Sequence, residues 1–366
     1  MAPSQQSLQT HLSRRTNALL SQLGAPGAAL ALVAGGQTVI QIQLGRRGPE
    51  DRRPLHPQAL FPIYSVTKTL IAAAVLMLVE EGQVGLDDPL ETYPPDLPLP
   101  GSVTVRQALG HTGGLPDYGS LSVYRDSLRA DPTRPWTAEA FWDSALAQGL
   151  RFPPGAGWAY SNIGYLLLRR MIEGLTGQTL AQVLRAWLFA PLGLARTWVA
   201  EDLEDTRALT PGWSTFWGGD RLKNIVPVYH PGWVAHGVVV STAAELAVLG
   251  DAIFTGRFFG QERLREMLTP RVVGGGHPVF RLRAYGLGVM MDGSMDGSVV
   301  GHGGGGPGFS AGMLHFRGSG LPLTSVALVN HDVDDAGLLL ANELAEAWRS
   351  LPEGSRELLT GGLERP

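Results

Sequence analysis

"GHGGGGPGFSAG", residues 301–312, admits readings that lead to different folds. Gly308-Phe309-Ser310-Ala311-Gly312 matches G-x-S-x-G, the elbow that presents a nucleophilic serine on a sharp strand-to-helix turn, and His302-Gly303-Gly304-Gly305 matches an oxyanion-loop motif. A third reading is a glycine-rich phosphate cradle. Each makes demands on its surroundings. An elbow serine needs a helix behind it, then an acid, then a histidine. Here "AGMLHFRGSG" follows and reads as strand and turn, and every later acid comes after both His315 and His331. The oxyanion motif belongs well upstream of its elbow, yet the two nearly touch. A phosphate cradle needs a Lys-Ser/Thr pair and a helix N-terminus, and neither follows. Ser310 therefore reads as an ordinary strand residue, and the nucleophile lies elsewhere.

"FPIYSVTKTL", residues 61–70, is the better candidate. Ser65 and Lys68 form S-x-x-K at the start of "SVTKTLIAAAVLMLVEEGQV", a helix apolar on nearly every side and hence central and buried. A spacing of i, i+3 puts both side chains on one face. The plain alternative is that Ser65 caps the helix. Lys68, however, faces the positive end of the helix dipole, where a cation is disfavoured unless it has a task. Burial there favours the neutral amine, which can take the Ser65 proton. "GWAYSNIGYLLL" adds Tyr160 and Asn162 on a turn before a helix. A phenol serves as base where cations lower its pKa, and an amide can hold a substrate carbonyl. A structural tyrosine and an asparagine cap are the plain alternative.

The chain has 366 residues, 44% hydrophobic and 17% charged, with net charge −4. That is enough apolar material for a sizeable core and indicates neither a nucleic-acid surface nor a polybasic membrane patch. There are no cysteines, which excludes disulfides, thiol nucleophiles and Cys-ligated zinc. The polar start lacks an apolar secretion segment, and the longest strongly apolar run, residues 70–79, is too short to span a bilayer. The expectation is a soluble, cytoplasmic protein without metal or cofactor, acting on a small molecule, with its oligomeric state open.

Two strands are predicted around Gly35-Gly36, with residues 38–44 alternating. Beyond Leu86 the pattern turns helical, at residues 137–148, 162–176 and 180–189. Strands return at residues 285–292, 299–300, 310–317 and 323–330, with Asp-Gly pairs at 292–293 and 296–297 marking a turn. "HDVDDAGLLLANELAEAWRSL" is a terminal helix whose Asp332, Asp334 and Asp335 suit its first turn, a metal site with His331 being the sharper alternative. This predicts an α+β fold. An antiparallel sheet flanked by helices is assembled from residues 1–85 and 236–366, and residues 86–235 form an inserted, mostly helical domain. The site lies in the cleft between them. His111 is read as supporting the loop before Gly113-Gly114, and His236 as lying near the cleft. Trp213, Trp217 and Trp233 are read as core or loop packing, or as an apolar acyl pocket.

Taken in order, Ser65-Val66-Thr67-Lys68, Tyr160-Ser161-Asn162 and His302-Gly303-Gly304 resemble the three motifs of the serine β-lactamase and penicillin-binding-protein superfamily. The likeness is to its class C branch, with DD-peptidases, D-aminopeptidases and related esterases. "LGHTGGLPDY" (109–118), "FPPGAGWAYSNIGY" (152–165), "YGLGV" (285–289) and "PGFSAG" (307–312) extend it over most of the chain. The resemblance implies that Ser65 is acylated, that Lys68 assists its deprotonation and tunes Tyr160, and that Tyr160 relays the proton and later activates water. It implies substrate contacts from Asn162, His302 and Gly304, an oxyanion hole from the Ser65 and Gly305 N–H groups, and Tyr118 at the cleft rim.

The chain departs from the β-lactamase pattern where His302 replaces a common lysine, where Gly303 replaces threonine, and in lacking a signal segment. His302 is expected to donate toward the Tyr160 oxygen or a substrate carboxylate. These departures favour an esterase or a D-amino-acid-type peptidase over a β-lactamase or DD-carboxypeptidase. A non-catalytic scaffold is the alternative of another class, and the intact Ser65, Lys68, Tyr160 and Asn162 set argues against it.

Overall fold

The computed structural model describes residues 5–93, 102–294, 298–318 and 321–361. Helix α1 (Gln5–Gln22) leads into the hairpin β1 (Gly27–Ala34) and β2 (Gln37–Gly45), then β3 (Phe61–Pro62). A 3-10 turn, Tyr64–Val66, runs straight into α2 (Thr67–Glu80). Next come α3 (Val105–Leu109), α4 (Ser122–Ala130), α5 (Ala138–Leu146), α6 (Asn162–Thr176) and α7 (Leu180–Leu184). Strands β4 (Trp198–Ala200), β5 (Trp213–Ser214), β6 (Lys223–Asn224) and β7 (Val238–Ser241) precede α8 (Ala243–Phe254) and α9 (Gln261–Met267). The chain closes with β8 (Arg271–Val272), β9 (Arg283–Tyr285), β10 (Met290–Asp292), β11 (Val299–Gly306), β12 (Phe309–Phe316), β13 (Leu323–Val329), α10 (Ala336–Arg349) and α11 (Glu353–Thr360).

The main sheet is antiparallel, in the order β2-β1-β13-β12-β11-β10-β9-β8, so the first strand of the chain lies beside the last. The run GAALALVA offers apolar side chains to both faces, and as β1 it is buried along its whole length. Its Leu30 and Leu32 pack with Leu12 of α1 and Leu344 of α10, while Ala29, Ala31 and Val33 join the core that holds α2 and α8. The fold is thus the expected α+β arrangement of an antiparallel sheet from both chain ends with helices on both faces. A small sheet, β3-β7-β4, ties the segment before α2 to residues from mid-chain. No helix among the described residues is long and apolar enough to cross a membrane.

Several elements differ from expectation. Residues 285–292 form two strands, β9 and β10, because the backbone turns through Gly288 at φ 75°. The strand expected at 299–300 continues through the glycine run to Gly306, so that run is strand rather than loop. Asp332, Asp334 and Asp335 precede α10 instead of filling its first turn, and Asp335 itself adopts φ 54°. Asp332 accepts the Gly308 N–H at 3.2 Å, and His331 Nδ1 lies 2.8 Å from the Trp213 carbonyl. The Asp-Gly pair at 296–297 lies outside the described residues. Asp292 accepts backbone N–H groups of Arg281, Leu282 and Ser294, which closes β10 onto the approach to β9.

Helix α10 meets the sheet backbone to backbone. A Cβ on Gly312 would fall 2.3 Å from the Gly337 carbonyl carbon, and one on Gly337 would fall 2.2 Å from that of Ala311. Gly337→Ala is therefore expected to cost roughly 1–3 kcal/mol by overpacking. Gly174, exposed in α6 with nothing within 4 Å of a Cβ, gives the control. Gly174→Ala should stabilise by about 0.4–1 kcal/mol. Urea midpoints of the two variants check both signs.

Candidate active site

Ser65 does not cap α2. It sits in the middle of the 3-10 turn, and the N-cap of α2 is Val66, which makes no side-chain cap bond. The turn is held in an unusual shape: Tyr64 adopts φ 44°, a left-handed conformation that L side chains rarely take. The Tyr64 hydroxyl donates to the Pro307 carbonyl at 2.6 Å and pins the turn to the β11–β12 hairpin. The glycines of β11 make this contact possible. A Cβ on Gly304 would lie 2.1 Å from the Ile63 carbonyl oxygen, and one on Gly306 would lie 2.5 Å from the Tyr64 ring. Alternate glycines on one strand face thus let the serine turn press flat against the sheet, while a Cβ at Gly305 would meet open space.

Lys68, 0% exposed, is the centre of the site. Its Nζ lies 3.1 Å from Ser65 Oγ, 2.7 Å from Asn162 Oδ1 and 3.2 Å from His236 Nε2. Ser65 Oγ also accepts from the Tyr160 hydroxyl at 2.8 Å. Burial pushes the Lys68 amine well below its ordinary pKa, with the Asp117 carboxylate opposing the shift. Burial pushes the Tyr160 phenol up, and its bond to Ser65 only partly offsets this. Tyr160 therefore rests as a protonated phenol. The base expected of it by cation lowering is not its resting state, because the nearest cation candidate favours its neutral form.

Asn162 reaches Lys68 because Ser161, not Asn162, caps α6: Ser161 Oγ accepts the Gly164 N–H at 3.2 Å and donates to the Pro116 carbonyl. Asp117 accepts the Asn162 N–H at 2.8 Å. The loop carrying Pro116 and Asp117 is thereby stitched to the start of α6. His111 does more than support its loop. Its Nδ1 accepts the Ser161 N–H, and its ring lies 4.4 Å from that of Tyr160, centroid to centroid.

His302 lines the site but does not donate to Tyr160. Its Nδ1 faces the Gly303 carbonyl, which can only accept, so that nitrogen carries the hydrogen. Nε2 then accepts from the Tyr285 hydroxyl at 2.9 Å. Burial holds its pKa down at about 3, against the opposing Gly303 bond, so the imidazole is neutral. Tyr118 is not at the rim: it is buried against Tyr124 and Phe141, and its hydroxyl accepts the Ala235 N–H at 3.1 Å.

A cavity of about 490 Å³ opens beside Ser65 and Tyr160. Its walls are His302 and the glycines of β11, then Asp332, Asp334 and Asp335, with no lysine, arginine or tryptophan lining it among the described residues. Trp213, Trp217 and Trp233 do not line this cavity. Trp233 is core, Trp213 bonds the Arg47 carbonyl, and Trp217 packs on Phe216. Strand β10 pairs with β11 at Val300 and Gly301, and no pairing among the described residues covers that edge from His302 to Gly306. Asp117 and Tyr285 lie within the stretches 109–118 and 285–289 that carry the resemblance, but neither they nor His236 receive a role from the sequence alone. Their partners lie 17 to 168 residues away, and no local pattern reveals those contacts.

A family model described as Beta-lactamase matches residues 12–347. Among curated proteins, a penicillin-binding protein of Bacillus subtilis is 30% identical over 310 residues, covering 79% of this chain and 65% of its own length. A D-aminopeptidase of Brucella anthropi is 33% identical over 209 residues, covering 55% of this chain and 37% of its own length. The chain thus spans less than two thirds of the length of these relatives. Among solved structures, the D-amino acid amidase from Ochrobactrum anthropi SV3, complexed with D-phenylalanine, matches with a TM-score of 0.79 at 27% identity, covering 93% of this chain and 99% of that one. A D-stereospecific amidohydrolase from Streptomyces sp. matches with a TM-score of 0.76 at 26% identity, covering 93% and 98%. The family match takes in Ser65, Lys68, Tyr160, Asn162 and His302 together with the strands that hold them, and the chain belongs to the Beta-lactamase family.

Proposed function

We propose that the chain is a serine hydrolase that forms an acyl-enzyme on Ser65 and cleaves small amides or esters of D-amino-acid type. The observation that carries this reading is Ser65 Oγ held between a fully buried amine at 3.1 Å and a phenol at 2.8 Å. Neutral Lys68 takes the Ser65 proton as Oγ attacks the substrate carbonyl. The Ser65 and Gly305 N–H groups hold the oxyanion. Tyr160 gives its proton to the leaving amine or alkoxide, and the ammonium now on Lys68 restores it. A water on the acyl carbon then gives up its proton along the same path in reverse, freeing Ser65.

The surroundings point to the substrate class. His302 is neutral with both nitrogens engaged, and the cavity has an acidic wall and no lining lysine or arginine among the described residues. A substrate carboxylate, as in β-lactams or D-Ala-D-Ala peptides, finds no fixed positive partner there. A free substrate amine fits better. The amidase and aminopeptidase names among the similar proteins agree with this.

Three outcomes test the reading. A D-amino acid amide and its ester should be turned over, and the N-acetylated amide, a D-Ala-D-Ala peptide and a chromogenic cephalosporin only poorly. Turnover that survives Ser65→Ala would remove Ser65 as nucleophile, and preference for the carboxylate substrates would favour the DD-carboxypeptidase or β-lactamase alternative. Tyr160→Phe should lower kcat by about 10²–10³-fold while the acyl-enzyme remains detectable by mass spectrometry.

The third outcome concerns pH. Between the depressed Lys68 pKa and the ordinary 10.5, the unfolded chain binds a proton that the folded chain does not. Folding stability attributable to this group therefore rises with pH through that window and is lowest below it. Lys68→Met should raise Tm at pH 7, lose the advantage as pH approaches 10.5, and abolish activity at every pH. A Tm difference between the variant and wild type that does not fall as pH approaches 10.5 would mean that the Lys68 pKa is not depressed in the fold.

A further inference from the structure

Lys68 has three partners, and counting hydrogens assigns each a task. A neutral amine offers two N–H groups and one lone pair, whereas an ammonium offers three N–H groups and no lone pair. Asn162 Oδ1 can only accept and so takes one N–H at 2.7 Å. For the lone pair to face Ser65 Oγ, the second N–H must go to His236 Nε2 at 3.2 Å. Without an acceptor there, the amine can turn about its Cε–Nζ bond and present a hydrogen to Ser65. The serine oxygen, already accepting from Tyr160, would then face two donors and no base.

We propose that His236 is a positioning residue for acyl transfer: its neutral imidazole accepts one Lys68 N–H at Nε2 and thereby aims the lysine lone pair at Ser65. The inference rests on the acyl-transfer reading of Ser65. His236 is 1% exposed, and its Nδ1, which must carry the ring hydrogen, has no hydrogen-bond partner among the described residues. An unpaired buried N–H works against stability, so packing alone does not account for an imidazole at this position. Its direction is set by the turn before β7. Gly237 N–H closes that turn on the Val234 carbonyl at 2.7 Å, and Gly237 takes φ 90°. The Tyr118 hydroxyl fixes the neighbouring Ala235 N–H, which gives this buried tyrosine a place in the same support.

The groups around the ring keep it neutral. Burial acts first; the Arg169 guanidinium of α6 also disfavours the imidazolium, and Lys68 of α2, His302 of β11 and His111, themselves pushed toward neutrality by burial, would do so only when protonated. Tyr165 of α6 faces it edge-on at 6.4 Å, and the nearby carboxylate, Asp117, acts on Lys68 rather than on His236.

The test reads Ser65 directly. Labelling by a fluorophosphonate, located by mass spectrometry, is timed at pH 7 for the wild type, His236→Gln and His236→Leu, each checked for folding by thermal melting. Gln keeps an acceptor, and Leu keeps volume without one. Labelling is expected to slow about 100-fold in the Leu variant and to stay within about tenfold of wild type in the Gln variant. Equal rates for Gln and Leu would overturn the role of His236 while leaving Ser65 as nucleophile. A wild type not labelled at Ser65 would overturn the acyl-transfer reading and this inference with it. Nitrogen-15 NMR of histidine-labelled wild type needs no variant. It should find the His236 hydrogen on Nδ1, and a hydrogen on Nε2 would overturn the proposal.

Discussion

A lysine amine sealed from water is the constraint on which the site is built. Moving an ammonium into an apolar interior is far more costly than moving an amine, so burial itself favours the unprotonated amine. The apolar body of α2 supplies that burial, since nearly every side chain from Thr67 to Leu78 is enclosed. The remaining partners arrive from separate parts of the chain. Ser65 comes from the turn before α2, Asn162 from the first position of α6, and His236 from the turn before β7. Each is positioned by something else: Tyr64 by Pro307, Asn162 by the Ser161 cap and Asp117, His236 by Gly237 and Tyr118. An interaction that is costly in isolation thus organises three loops.

The second constraint is closeness. The serine turn lies so near β11 that a single methyl group at Gly304 would collide with backbone. Side-chain alternation along a strand explains why glycine recurs at 304 and 306, on the face toward the turn. Gly301 and Gly312 answer to other crowding, against β12 and α10 respectively. A run that looks like one feature in the sequence is therefore several separate accommodations. Its glycine content made it read as a loop, when strand pairing with β12 continues through it from Val299 to Gly306.

Much of this was legible beforehand. The two apolar faces of β1, the alternation in β2 and the helix from Asn162 to Thr176 follow from local periodicity, and the sheet built from both ends follows from where strands occur. Ser65 and Lys68 stood out because a lysine in a buried first turn conflicts with the helix dipole. What stayed hidden depends on distance in the chain or on burial. His302 could be placed at the site but not assigned its tautomer, which comes from Gly303 and Tyr285. Tyr118 carried a rim position by resemblance, yet aromatic packing with Tyr124 and Phe141 draws it inside. The acids at 332–335 looked like helix-dipole partners because nothing local reveals that β13 ends beside the cavity.

That last placement separates two properties that enzymes often entangle. Ser65, Lys68 and Tyr160 come from the turn before α2, from α2 itself and from the stretch before α6, whereas the acidic wall comes from one short connection between β13 and α10. Its ends are fixed by the sheet on one side and by the glycine contact under α10 on the other. None of the three acids bonds Lys68, but Asp332 also holds the Gly308 N–H, so exchanging it would reach the hairpin that pins the serine turn.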